Sequence, residues 1–177
     1  MFKYDIEYGE NLLRIHSKTA EEICRIRWEW IKTCRPVYVL DYGSGIGWFR
    51  AFRPSGVFVD TYDVMPVMQT GITGSCYDIV TFWDVIEHLP YLGCIKHIVD
   101  SARCVAATVP VMPEEMENNR ELLEKWKHYK PDEHLRYFKQ GEMESLFAEW
   151  GFYLVKKGQP ECPPRKDIWS YLFKRPQ

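Results

Sequence analysis

The sequence predicts an α/β domain whose mostly parallel sheet carries helices on both faces. Three observations support that reading. Strand-like and helix-like segments alternate along most of the 177 residues, which is the pattern of successive βαβ units. The first β-branched run, Val37 to Leu40, leads into the turn Gly43-Ser44-Gly45-Ile46-Gly47 and then a helix. Two late apolar runs, 152–156 and 168–173, have no helix between them and should form an antiparallel hairpin.

Over 11–34, Leu12, Leu13, Ile15, Ile23, Ile26, Trp30 and Ile31 recur at helical spacing. Thr19 and Glu22 have the form of a capping box, which predicts a second helix starting there, and Arg35-Pro36 stops the region. The strand 37–40 and the helix 46–52 follow, the latter closed by Pro54. A second strand starts at Val57 and should reach Asp63. A third β-rich run covers 78–82, with a helix predicted over 85–99. A buried strand over 104–109 is broken by Pro110 and Pro113. The charged stretch 114–130 is predicted helical, and 140–150 is amphipathic with Gly151 as its stop signal. The chain is read as one domain over 1–177, with an N-terminal helical cap over 1–35 and a lid-like insertion over 111–138.

Composition narrows the function. The residues are 46% hydrophobic and 15% aromatic, typical of a packed protein, and seven Trp with eleven Tyr leave rings to line a pocket. A net charge of −2 gives no support for nucleic-acid binding. Cys24, Cys34, Cys76, Cys94, Cys104 and Cys162 form no closely spaced pair. No zinc site is therefore expected. Without a leader-like segment, reduced thiols in a cytoplasm are the expectation. The apolar runs are too short to span a membrane.

The glycine turn is the strongest local signal. Glycines between a strand and a helix let the backbone approach a ligand. The spacing is G-x-G-x-G with Asp41 two residues upstream, tighter than the dinucleotide G-x-G-x-x-G, and no lysine follows as in a phosphate loop. An acid for ribose hydroxyls should end the second strand about twenty residues on. Asp63 meets this better than Asp60, and Asp63-Val64-Met65-Pro66 lets the carboxylate end a strand while proline opens a helix.

The loop, Asp63-Val64-Met65-Pro66, and the run Tyr77 to Leu89 with its Asp84-Val85-Ile86-Glu87-His88-Leu89 segment together resemble class I S-adenosylmethionine (SAM)-dependent methyltransferases. The similarity is greatest to the ubiquinone-biosynthesis-like, type 11/23 branch. His128 to Phe138 and Gly151-Phe152 are similar to later segments of those enzymes. The resemblance implies a Rossmann-like three-layer sandwich with a seven-strand sheet, its last strand antiparallel. It implies SAM as cofactor, with Asp41, Tyr42, Gly43, Ser44, Gly45 and Gly47 at the methionine end. Asp63 and Val64 would lie at the ribose, and Trp83 with Asp84 near the sulfonium. Only fifteen positions separate Asp63 from Asp78, so the sheet should be abbreviated around its third strand. Ser75 and Cys76 stand where an adenine-site acid is often found.

Methyl transfer needs alignment, and a base only for a protonated acceptor. His88, His128 and His134, near the predicted mouth, are the candidates for that base. His134 has Asp132 and Glu133 nearby to orient it or raise its pKa. Asp84, at a strand end, is a further catalytic candidate. Glu87 reads as an acid favouring a helix N-terminus, and His88 as a bond to a neighbouring loop. Tyr4, Tyr8 and His16 are expected to fold over the site. No metal is expected; the minor alternative groups His88, His128 and Asp84. The acceptor is expected to be a small molecule. A SAM-binding module without turnover and an NAD-dependent oxidoreductase are the competing readings.

Overall fold

A computed structural model describes residues 6–64, 70–163 and 165–176, with side chains from residue 19 onward. Helix α1 (Ile6–Ile31) is continuous for 26 residues. The predicted restart at Thr19 does not occur. Ala20, Cys24, Trp28 and Ile31, spaced four, four and three apart, form one buried stripe, and packing of that stripe carries the helix through the Thr-Glu pair. A 3-10 turn, Lys32–Cys34, and Arg35 at φ 46° end it.

The sheet has six strands among the described residues, not seven. They are β1 (Tyr38–Tyr42), β2 (Phe58–Tyr62), β3 (Tyr77–Trp83), β4 (Ala102–Pro110), β5 (Tyr153–Gly158) and β6 (Ile168–Lys174), in the order β2-β1-β3-β4-β6-β5. The first four run parallel, and β6 runs antiparallel to both β4 and β5. The shortfall falls where the spacing predicted it. Among the described residues neither helix nor strand intervenes between β2 and β3.

Side-chain hydrogen bonds tie the chain that follows β2 back onto it instead. The Thr61 amide donates to Thr70 Oγ1 at 2.8 Å, and the Thr70 amide donates to Thr61 Oγ1 at 3.0 Å. Asp60 Oδ2 accepts from the Thr73 amide, the Thr73 hydroxyl and the Tyr77 hydroxyl at 2.9, 2.7 and 2.7 Å. Burial raises the Asp60 pKa, but these hydrogen bonds outweigh it and hold the carboxyl below its ordinary value.

Both faces of the sheet are covered, as a parallel sheet requires. On one face Cys24, Trp28 and Ile31 of α1 and Phe49 of α2 (Trp48–Ala51) pack on Val39, Ile79 and Leu172. Trp28 stacks on Phe49 at 4.2 Å and donates to its carbonyl. On the other face Ile98 and Val99 of α3 (Lys96–Asp100) and Met143 and Phe147 of α5 (Glu142–Glu149) pack on Leu40, Val80, Phe82 and Phe173.

Two predicted helices are much shorter than expected. The span 85–99 is split into 3-10 turns Ile86–His88 and Leu92–Ile95 before α3. Pro90 keeps Leu89 extended, at φ −81° and ψ 127°, and breaks the helix. Within 114–130 only the 3-10 turn Glu114–Met116 and α4 (Arg120–Lys125) form, and neither buries a residue. A charged run without an apolar stripe gains little from tertiary packing.

Candidate active site

The carboxyl ends of the parallel strands open on a cavity of about 710 Å³, within the roughly 300–1,000 Å³ of small-molecule sites. Its wall takes in α1, the glycine loop, the β2 and β3 exits, the Glu87–Pro90 segment and part of the 111–138 segment. Of the ten predicted cofactor residues, nine line it. The exception is Gly47, which at φ 81° stands at the start of α2 and serves the helix.

The loop is held by the strands beside it. The Gly43 and Ser44 amides donate to the Tyr62 carbonyl at 2.7 and 3.1 Å, and the Gly45 amide donates to Asp63 Oδ2 at 2.6 Å. Gly43, at φ 78°, lies against the β3 exit, where a Cβ would stand 2.3 Å from Val85 Cγ2. Gly45, at φ 55°, has nothing within 4 Å of a Cβ position, so its backbone faces open space. Ser44 Oγ is buried without a hydrogen-bond partner among the described residues. An open glycine backbone, an orphaned hydroxyl and an adjacent carboxylate fit the polar end and ribose of a nucleoside cofactor.

Asp41 is buried below the loop and accepts from Thr81 Oγ1 at 2.9 Å. Burial is the largest influence on its carboxyl and pushes the pKa to about 7, against the Thr81 hydrogen bond and the Arg27 charge. Tyr42 stacks on Tyr62 at 4.7 Å. Val64 is exposed at the rim. Trp83 packs edge-on against Phe49, with the Arg27 guanidinium over its ring. Met65 and Pro66, where a helix was predicted to open, lie outside the described residues, as do Tyr4 and the side chains of Tyr8 and His16.

Asp84 lines the cavity, but its carboxylate is fully engaged. At φ 61° it turns out of β3 and accepts from Arg27 at 2.7 Å, from Arg165 at 2.9 and 2.8 Å, and from Thr108 Oγ1 at 2.9 Å. Glu161, itself buried, binds the same two arginines. Against its burial, the two guanidinium charges hold the Asp84 carboxyl far below its ordinary range. In this arrangement the Asp84 carboxylate acts as a tether. It ties α1, through Arg27, to the body of the sheet.

His134 lies in the cavity wall as predicted, though not in the predicted electrostatic setting. Burial and the neighbouring His88 push its pKa down to about 4. Glu133, expected to raise it, pairs instead with Lys130 at 3.0 Å. His88 Nδ1 lies 2.9 Å from the Glu133 carbonyl, so the predicted loop contact is present. The His88 and His134 rings meet edge-on at 4.8 Å. His128, also in the wall, has Nε2 3.2 Å from the Lys166 carbonyl.

Glu87 is the functional candidate that the sequence reading passed over. It is only 2% exposed, and burial raises its pKa well above the ordinary value. The available signal was an acid beside a histidine directly after a strand end. Reading it as a favourable helix-terminus charge hid that signal, because the helix is a single 3-10 turn.

Residues 10–157 match the family model described as a methyltransferase domain. The chain thus belongs to the methyltransferase-domain family of class I, SAM-dependent methyltransferases. Comparison with curated protein sequences returns no match.

Among solved structures, the magnesium protoporphyrin IX methyltransferase of Synechocystis, with bound S-adenosylhomocysteine (SAH), aligns with a TM-score of 0.65 at 15% identity, over 99% of this chain and 89% of its own. The 1,6-didemethyltoxoflavin-N1-methyltransferase of Burkholderia thailandensis aligns with a TM-score of 0.62 at 13% identity, over 97% and 84%. An O-methyltransferase family protein from the same organism aligns with a TM-score of 0.65 at 10% identity over 95% of this chain, which spans 58% of its length. At these identities the likeness is one of fold. Membership of the methyltransferase family excludes the oxidoreductase reading. Among the described residues no helix is long and apolar enough to cross a membrane.

Proposed function

We propose that this methyltransferase acts on a small-molecule acceptor, with cofactor and acceptor at opposite ends of the one cavity. Gly43, Ser44, Gly45, Asp41 and Asp63 hold the cofactor. His134 and its neighbours face the acceptor. The observation that carries this reading is continuity: the glycine loop and the Glu87, His88 and His134 wall line the same cavity. When bound, SAM supplies an electrophilic methyl group on a sulfonium. The chain's own part is to align the acceptor and exclude water. Both structural neighbours named for their substrates act on small molecules, which supports the same class here.

The N-terminal helix and the 111–138 segment serve as cap and lid, since Thr19, Ala20, Ile23 and Arg27 on one side and His128, Lys130 and His134 on the other contribute to the wall. All six cysteines are free thiols, in keeping with a reducing, cytoplasmic setting.

The test is equilibrium titration with SAM and with NAD, followed by release of SAH in the presence of pooled metabolites. Saturable SAM binding, no NAD binding and acceptor-dependent release are expected. SAM binding without release from any pool would favour the non-catalytic module instead.

A further inference from the structure

Glu87, His88 and His134 bring one carboxylate and two imidazoles to the same wall, each with a ligand atom within 4.8 Å of the others. Among the described residues they form the one such group of His, Cys, Asp or Glu close enough to share an ion. Glu87 Oε2 and His134 Nδ1 are buried, on residues 2% and 7% exposed, and neither has a hydrogen-bond partner among the described residues. Orphaned buried polar atoms are rare and call for a missing partner.

One ring is also oriented from behind. The Glu133 carbonyl accepts from His88 Nδ1, which leaves Nε2 with the lone pair. On His134 it is Nδ1 that is buried without a partner among the described residues. A carbonyl on the far nitrogen is how metal-bound histidines are commonly held.

We propose that Glu87, His88 and His134 bind a divalent transition-metal cation whose remaining coordination positions face the cavity and take a hydroxyl oxygen of the methyl acceptor. The inference rests on the reading of this cavity as the methyl-transfer site. Ligands about 2.0–2.2 Å from one ion stand about 3.3–3.6 Å apart in tetrahedral geometry, so the group closes on an ion by side-chain shifts of about an ångström. Two imidazoles and a carboxylate suit manganese, iron, cobalt, nickel or zinc better than magnesium or calcium.

Three protein ligands leave room for an exogenous one. A hydroxyl held there loses its proton more readily than in water, which ties the site to O-methyl acceptors. The set differs from the alternative of His88, His128 and Asp84 raised by the sequence and shares only His88 with it. Asp84 is occupied by Arg27 and Arg165, and His128 by the Lys166 carbonyl.

The test uses the chelator-dialysed protein and Co²⁺ alone, read by visible ligand-field absorption. A single saturable site is expected, whose spectrum changes on adding azide as a probe of the open positions. His134→Phe and Glu87→Gln should each weaken Co²⁺ binding by about tenfold or more while SAM affinity is kept. Should either variant fail to fold, paramagnetic shifts of the His88 and His134 ring nitrogens in the wild-type protein provide the same assignment.

Absence of saturable Co²⁺ binding, or binding that leaves both rings unshifted or both variants unaffected, overturns the site. Binding without an azide response overturns its role toward the acceptor. A SAM titration on the same samples separates the two readings. SAM binding without Co²⁺ binding removes only the cation, whereas Co²⁺ binding without SAM binding removes the methyl-transfer reading and the acceptor role with it.

Discussion

The two ends of the cavity satisfy their polar groups to different degrees. At the glycine-loop end the backbone bonds to the protein itself: the Gly43 and Ser44 amides rest on the Tyr62 carbonyl, Gly45 on Asp63 and Asp41 on Thr81, and Ser44 Oγ is left without a partner among the described residues. At the other end Glu87 and His134 each keep a buried polar atom without a partner among the described residues. The loop end is a preformed cradle whose shape the backbone maintains. The far end keeps unpaired groups that a stability-optimised core would exclude, as functional sites often do.

The arginine–carboxylate clamp stands between the two ends, so breaking it should give the largest effect. Arg165→Met leaves Asp84 and Glu161 sharing Arg27 alone, and loss of one partner from a buried ion network costs about 3–5 kcal/mol. Urea unfolding should show this loss, with SAM affinity and turnover falling together. A loss below about 1 kcal/mol would mean that the clamp behaves as an exposed ion pair.

Asp63→Ala tests the cradle. Losing a charged acceptor of hydrogen bonds should weaken SAM binding by about 1.5–3 kcal/mol. Asp60→Ala, which acts on the Thr73 and Tyr77 bonds, should lower stability by about 1 kcal/mol and leave SAM affinity almost unchanged. If isothermal titration finds Asp60→Ala the more damaging to binding, the two carboxylates have been assigned to the wrong roles.

The far end should respond with the opposite sign. Glu87→Met replaces a buried, incompletely bonded carboxyl with an apolar group of similar size. It should raise stability by about 1–3 kcal/mol while turnover collapses. A variant that melts earlier than the wild type would show that the Glu87 carboxyl is satisfied in solution.

The smallest effect concerns pH. With a pKa near 7, Asp41 is largely neutral below that pH, and only its ionised form attracts the ammonium of a bound methionine moiety. Arg27 favours ionisation, while Asp63 opposes it. SAM affinity should therefore fall as pH drops through about 7, by at most about tenfold per unit. Asp41→Asn should abolish the dependence, and a wild-type affinity flat from pH 6 to 8 would rule out this role.

The parallel sheet, its reversed last strand and the glycine loop were legible because local chemistry determines them. Alternating apolar runs, Gly43 and Gly45 at positive φ, and Gly151 after α5 all act within a few residues. That no strand stands between β2 and β3 among the described residues was legible from the short interval before Asp78. What could not be read depends on contacts distant in sequence. Asp84 becomes a tether only because Arg27 and Arg165, 57 and 81 positions away, converge on it. Glu87 meets His134 only once the 111–138 segment folds back, with the Leu135 and Arg136 amides donating to the Glu87 carbonyl.

The threonine clasp on β2 has a consequence for the life of the protein in a crowded solution. A sheet that lacks an outer strand exposes a row of backbone groups that another chain can copy by strand addition. Here Thr70 bonds the Thr61 amide, while Thr73 and Tyr77 draw the next stretch of chain onto Asp60. The Thr70 hydroxyl thus takes up one donor of that edge, the Thr61 amide, and withholds it from any strand that would add there.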